Sequence, residues 1–208
     1  MKEKEEARLN ELKKIENEIY LNGTNLIAGI DEAGRGPLAG PVVVSCVILD
    51  KNSMIEGVND SKKISENKRE KLYEIITKEA ISYGVGIVMQ DEIDEINILQ
   101  ATKKALTKAI SSMKIKPNLI LVDALTGIDT LGIPYMSIIK GDAKCYSIGA
   151  ASIIAKVTRD RIMREWDKVY PEYGFGSHKG YGTSKHIEAI KKYGICPIHR
   201  KSFVKNFI

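Results

Sequence analysis

Leu26-Ile27-Ala28-Gly29-Ile30-Asp31-Glu32-Ala33-Gly34-Arg35-Gly36-Pro37-Leu38-Ala39-Gly40-Pro41-Val42-Val43 is the stretch on which the fold turns. Its first five residues form a short apolar run ending at Asp31, which predicts a buried strand. Pro41 to Leu49, rich in Val, predicts a second strand. Working outward, Ser82 to Met89 alternates as a third strand would. Asp91 to Met113 has helical period, with a break expected near Asn97. Leu119-Ile120-Leu121-Val122 is a buried strand ending in Asp123, and Pro134 to Ile139 is another short strand before Gly141-Asp142. Ser147 to Val169 is a long helix that begins with small residues, and Thr183 caps a last helix closed by Gly194. Strands first, then strands alternating with helices, predict an α/β class: a mixed sheet flanked by helices, with a helical C-terminal part.

The remaining sequence bounds the possibilities. With 208 residues, 43% hydrophobic and 28% charged, the chain can bury one core and a small appendage. Residues 2–19 mix acids and bases, with Leu9, Leu12, Ile15 and Ile19 at helical spacing. They predict an amphipathic N-terminal helix, a detachable arm. The division expected is a helical extension over 1–22 and one domain over 23–208. The longest charge-free stretch, Pro37 to Leu49, is too short to cross a bilayer, and no apolar signal region follows the N-terminus. Three widely spaced cysteines, Cys46, Cys145 and Cys196, form no disulfide framework or zinc motif. A cytoplasmic protein with reduced thiols, not a membrane protein, is expected. Residues 141–208 carry 13 Lys/Arg against 6 Asp/Glu, whereas the rest of the chain is slightly acidic. A basic third points to an anionic partner such as nucleic acid, or to a solvated lysine-rich face.

Three acids fall at the ends of apolar strands: Asp31, Asp123 and, just after the third, Asp142; Glu32 adjoins Asp31. Strand carboxyl ends are where α/β sheets bind ligands. Four clustered carboxylates repel one another and require a cation, and hard oxygen ligands suit Mg²⁺ or Mn²⁺. Two such ions would equip the chain for phosphodiester hydrolysis. The alternative is that each Asp caps the loop or helix after it. Asp31 and Glu32, as neighbours on a strand, can serve one site only if the strand ends or bulges there.

The loop Gly34-Arg35-Gly36-Pro37-Leu38-Ala39-Gly40 tests a dinucleotide-binding reading and fails it. The glycines are spaced one residue too long, Pro41 stands where a helix should run, and two acids would repel a pyrophosphate. The loop does allow backbone to approach a sugar or phosphate, with Arg35 free to fork onto a phosphate.

Ile27 to Val43 closely resembles the opening of the bacterial ribonuclease HII family. The resemblance extends through Asn59-Asp60-Ser61-Lys62-Lys63, Asp91-Glu92-Ile93-Asp94, Leu121-Val122-Asp123, Lys140-Gly141-Asp142, Ala150 to Asp160 and His178-Lys179-Gly180-Tyr181-Gly182-Thr183, covering about residues 26–205. It implies a ribonuclease H-like fold and a metal-dependent endonuclease, a monomer, using Mg²⁺ or Mn²⁺. Its substrates would be RNA/DNA hybrids and duplex DNA carrying embedded ribonucleotides, nicked 5′ of the ribonucleotide. The family's four acids fall on Asp31, Glu32, Asp123 and Asp142, with Asp160 a rival for the fourth place. Asp160 stands beside Arg159 and Arg161, which suits an ion pair. The glycine loop, Gly34, Arg35 and Gly36, is similar to the segment that reads a 2′-hydroxyl, and Tyr181 matches the tyrosine that stacks on the junction sugar. Lys62 and Lys156 are candidate phosphate contacts. The related HIII type carries an N-terminal domain larger than the helix expected here. A non-catalytic hybrid-binding module is the alternative in a different class, and the clustered carboxylates oppose it. His178 is expected to hold backbone, His199 to lie at the surface, and Ile153, Ile154, Val157 and Trp166 to be core.

Overall fold

A computed structural model describes residues 2–207. Five strands form one mixed sheet: β1 (Ile27–Ala33), β2 (Val42–Ile48), β3 (Ser82–Val88), β4 (Leu119–Asp123) and β5 (Tyr135–Ile138), in the order β3-β2-β1-β4-β5. β1, β2 and β3 pair antiparallel, while β1–β4 and β4–β5 pair parallel. The mixed sheet flanked by helices is the predicted one. It differs at one point that matters: β1 runs two residues past Asp31.

α4 (Gln90–Ser112) covers one face of the sheet, packing Ile93, Ala105, Leu106 and Ile110 on Ile30, Val44, Cys46 and Val122. The break expected at Asn97 is present as a left-handed residue with φ 67°. The opposite face carries α6 (Tyr146–Val169), whose first turn lies on β1 at Gly29. A Cβ there would sit 2.1 Å from the Ser147 carbonyl carbon, so only glycine permits this approach. Ile153, Ile154 and Val157 of α6 are core, packed with α3 (Glu66–Glu79) through Leu72 and Ile76. Trp166 is only partly buried.

The N-terminal segment is two helices, α1 (Glu3–Leu12) and α2 (Lys14–Leu21), not one. They pack onto the α6 face and do not project from it. Leu9 is fully buried among Val47, Leu72 and Ile153. Lys13 donates to the carbonyls of Lys51 and Ser53 at 2.6 and 2.8 Å. Glu16 accepts from the amide and the hydroxyl of Ser147, both at 2.8 Å. A carboxylate thus satisfies free amides at the start of α6, where the helix dipole favours negative charge.

Beyond α6, the chain forms α7 (Phe175–His178), α8 (Ser184–Tyr193) and α9 (Lys201–Val204) around a separate apolar cluster of Leu38, Met163, Tyr173, Phe175, Ile190 and Ile198. Thr183 caps α8 as predicted, accepting from the His186 amide at 3.3 Å. His178 holds backbone, its Nε2 2.7 Å from the Tyr173 carbonyl oxygen. His199, expected at the surface, is buried. Its Nε2 lies 3.0 Å from His186 Nε2, and Cys196 donates its amide to Nδ1 at 2.9 Å. The imidazole also packs against the Tyr173 and Phe175 rings, so the surface placement expected for His199 does not hold. All three cysteines are buried and free, and among the described residues no helix is long and apolar enough to cross a membrane.

Two outcomes follow from this packing. Leu9→Ala should cost about 2–5 kcal/mol of the stability of the whole domain, seen as a single unfolding transition at lower denaturant. A separate early transition would mean that the N-terminal helices unfold alone. Burial, and the nearby His178 and His199, hold His186 down to about 4, offsetting the Tyr181 carbonyl. A depressed histidine contributes stability that is complete above its unfolded value of ~6.5 and is lost as pH falls toward its folded value. The thermal midpoint of the wild type should therefore drop more between pH 7 and pH 4.5 than that of His186→Gln. Parallel pH curves for the two proteins would refute this.

Candidate active site

Ile30 of β1 lies opposite Val122 of β4 in the parallel pair, so the next residues, Asp31 and Asp123, stand level on neighbouring strands. Ile30 and Val122 point to the α4 side, which sends Asp31 and Asp123 to the α6 side. β4 ends at Asp123. The short helix α5 (Gly141–Lys144) follows β5 and brings Asp142 to the same place. The Gly141 amide donates to Asp123 Oδ1 at 2.8 Å, which ties the last residue of β4 to the turn carrying Asp142.

Asp31 and Asp142 are buried and Glu32 is half-buried. Burial raises the Asp31 carboxyl well above the usual carboxylate range, and Glu32, Asp123 and Asp142 push it further. Glu32 is raised by burial, with Arg35 opposing and Asp123 adding to the rise. Asp142 is raised by burial, then by Asp60 and Asp123. All four acids therefore share one field. β1 neither ends nor bulges at Asp31; it is β4 that stops, at Asp123, and Glu32 lies within the field of Asp31 and Asp123 all the same. The level partner of Asp31 is the last residue of β4, which leaves no paired strand beside Glu32 on that side.

The cations near these acids are few. Lys62 Nζ is 3.6 Å from Asp142, with its side chain otherwise exposed, and Arg35 Nη1 is 3.4 Å from Glu32. Among the described residues, no three His, Cys, Asp or Glu side chains already enclose a metal position. The donor set still fits a hard divalent cation: oxygen only, largely buried and mutually repelling.

Asp160 is not part of this group. It is buried on α6 and paired with Lys156 at 2.6 Å and Arg69 at 3.6 Å. The expected pairing with Arg159 or Arg161 is absent, since adjacent helix residues do not face one another. Arg161 reaches Glu70 and Glu74 instead. Lys156 is committed to Asp160, its Nζ 5.9 Å from the centre of the Tyr181 ring. Tyr181 is 43% exposed, with the Arg159 guanidinium also 5.9 Å from its ring.

The glycine loop is rigidly supported. Gly34 has φ +96°, and a Cβ there would lie 2.1 Å from Arg159 Nε. It thus faces the interior and not a ligand. Gly36 has only the Tyr181 ring edge near its missing Cβ, at 4.0 Å, and is exposed. The amides of Arg35 and Gly36 donate to no acceptor among the described residues.

Sequence reading missed Asp60, whose charge bears on Asp142 and whose Oδ1 accepts from the Lys62 amide at 2.9 Å. It also missed the roles of Arg159 and Arg200. Asp60 and Arg159 lie within the quoted stretches, but no local pattern marks a guanidinium that turns inward.

The family model described as ribonuclease HII matches residues 28–206. The chain is 62% identical to a ribonuclease HII of Acetivibrio thermocellus over 206 residues, covering 99% of this chain and 80% of that protein. It is 61% identical to one of Clostridioides difficile, again over 99% and 80%. Among solved structures, the ribonuclease H2 of Pyrococcus horikoshii superposes with a TM-score of 0.73 at 32% identity, covering 88% of this chain and 96% of that one. An Archaeoglobus fulgidus RNase HII, solved in complex with PCNA, gives a TM-score of 0.71 at 30% identity, with 84% and 93% covered. Bst-RNase HIII, at 18% identity and a TM-score of 0.61 over 83% and 64%, shares the fold. The sheet is thus the ribonuclease H-like one, and the chain, an endonuclease of the ribonuclease H class, belongs to the ribonuclease HII family.

Proposed function

We propose that this endonuclease is metal-dependent, cuts the RNA strand of RNA/DNA hybrids, and nicks duplex DNA 5′ of an embedded ribonucleotide, leaving 3′-hydroxyl and 5′-phosphate ends. The observation that carries the reading is the level placement of Asp31 and Asp123, with Asp142 tied to them through the Gly141 amide. Carboxylates packed this closely with so few cations favour a divalent ion over the bare apo state, and Mg²⁺ and Mn²⁺ suit their oxygens. Asp31, Glu32, Asp123 and Asp142 would hold two such ions. When bound, the ions supply an acidified water and charge stabilisation at the departing oxygen.

The chain's own groups do the rest. The Gly141 amide fixes the Asp123 carboxylate, and Lys62 partly neutralises Asp142 from the exposed side. Arg35 is exposed beside Glu32 and can fork onto a phosphate. The free amides of the glycine loop face a ribose, and the Tyr181 ring offers a flat surface to the next sugar. Together they read a step from RNA to DNA. Lys156, held by Asp160, adds positive potential behind Tyr181 and, with Lys62, contacts phosphate only if its pairing opens. The protein acts as a monomer in the cytoplasm, with residues 1–22 as an extension on the catalytic domain over 23–208.

The decisive assay is cleavage of a duplex with one embedded ribonucleotide, with and without Mg²⁺ or Mn²⁺. Asp31→Asn or Asp123→Asn should abolish cleavage while leaving hybrid binding within a few-fold, because a lost ligand charge also lessens repulsion of phosphate. Near-normal turnover in either variant would remove the metal reading. Binding without any cleavage by the wild type would favour a non-catalytic hybrid-binding module. Tyr181→Ala should lose most activity on the single ribonucleotide and less on a long RNA tract. Equal losses on both substrates would leave it a packing residue.

A further inference from the structure

Two guanidiniums are buried beneath the glycine loop without a carboxylate partner. Arg200 and Arg159 are each fully buried, and among the described residues neither has a carboxylate oxygen within 4.0 Å. Both bond only to backbone carbonyls. Arg200 donates to Gly34, Arg35 and Gly40 at 2.6, 2.9 and 2.9 Å. Arg159 donates to Pro41, Ala39 and Lys179 at 2.9, 3.0 and 2.9 Å. Burying an unpaired cation is expensive, and hydrogen bonds to neutral carbonyls offset that only in part. A structural tie alone could be made more cheaply by neutral groups.

The geometry shows what the arrangement provides. A peptide unit is planar and trans, so its carbonyl and its N–H point in opposite directions. The two terminal nitrogens of Arg200 draw the Gly34 and Arg35 carbonyls inward together. The N–H groups of Arg35 and Gly36, the other halves of those two peptides, must then point outward. Among the described residues neither amide has an acceptor, and of the loop amides in that state these are the two on exposed residues. A flat fork with fixed spacing can hold two successive carbonyls at once, and a lysine cannot. Arg159 ties the same loop to the Tyr181 segment through Lys179, next to the Leu38 amide bonded to the Gly180 carbonyl at 2.8 Å. The paired guanidiniums also place positive charge behind outward amides, which strengthens them as donors.

We propose that Arg200, supported by Arg159, is the positioning residue that turns the Arg35 and Gly36 amides outward as a donor pair for the substrate's ribose oxygen, and so sets the preference for ribose over deoxyribose. This rests on the endonuclease reading given above. Arg200 touches no substrate and acts only through the loop.

The test is steady-state cleavage of a single-ribonucleotide duplex, with an all-DNA duplex of the same sequence as competitor. For the wild type, the ribonucleotide duplex should have a KM well below the Ki of the DNA duplex. In Arg200→Lys the KM should rise about tenfold toward that Ki, which itself stays unchanged. Loss of folded enzyme would lower kcat alone and leave both constants in place. A folded Arg200→Lys with unchanged KM overturns the positioning role and leaves the endonuclease reading intact. A wild type with no KM advantage over the DNA duplex overturns the ribose reading itself. If Arg200→Lys does not fold, amide exchange on the wild type in chelator decides. Arg35 and Gly36 should exchange freely alone, become protected by the ribonucleotide duplex and stay unprotected with the DNA duplex. Equal protection by both duplexes, or by neither, overturns the proposal.

Discussion

The parallel pairing of β1 with β4 is the constraint on which the rest of the molecule depends. Ile30 opposite Val122 brings Asp31 level with Asp123 and turns both away from the α4 core. Strand side chains alternate with a period of two, so a one-residue slip of either strand would turn its acid into that core and its apolar neighbour toward α6. The apolar alternation of β1 and β4 and the placement of the acids are therefore one requirement. The same strand β1 seats α6, whose first turn comes against Gly29 more closely than any Cβ would allow.

That placement collects charge of one sign. Burial and mutual repulsion raise the carboxyls of Asp31, Glu32 and Asp142. The neighbouring elements are arranged around this load. The Gly141 amide bonds Asp123, and among the described residues Lys62 and Arg35 are the cations in salt-bridge range of these acids. Beneath the loop, two cations are buried with carbonyls as their hydrogen-bond partners. Negative charge collects at the sheet end and positive charge under the glycine loop, at opposite sides of one short segment, residues 31–41. A phosphate backbone and a divalent ion both suit a surface divided in this way.

The basic excess of residues 141–208 takes a different form in three dimensions from the one composition suggests. Arg159 and Arg200 are buried, Lys156 is paired with Asp160, and Arg161 and Arg164 are held by Glu70. Much of the charge supports the fold and the loop, and less of it lies open on the surface. The N-terminal helices are likewise part of the scaffold: Glu16 satisfies the start of α6, the helix that leaves the Asp142 turn.

Local sequence was enough for the strands, the long helices, the break at Asn97 and the cap at Thr183, because each is set by short-range period or turn chemistry. The three strand-end acids were legible for the same reason, each closing an apolar run. What sequence alone left open is which acids stand together. The arginines flanking Asp160 favour Asp142 over it, but the partners Asp160 does take, Lys156 and Arg69, are set by the fold. His199, expected at the surface, is buried with Arg200, because a polar residue goes inside when distant groups satisfy it. For His199 those groups are His186 and the Cys196 amide; for Arg200 they are carbonyls about 160 positions earlier in the chain. Sequence determined the elements and the residue types at their ends. Tertiary structure decided which charges meet and which turn inward, because those choices depend on partners far apart along the chain.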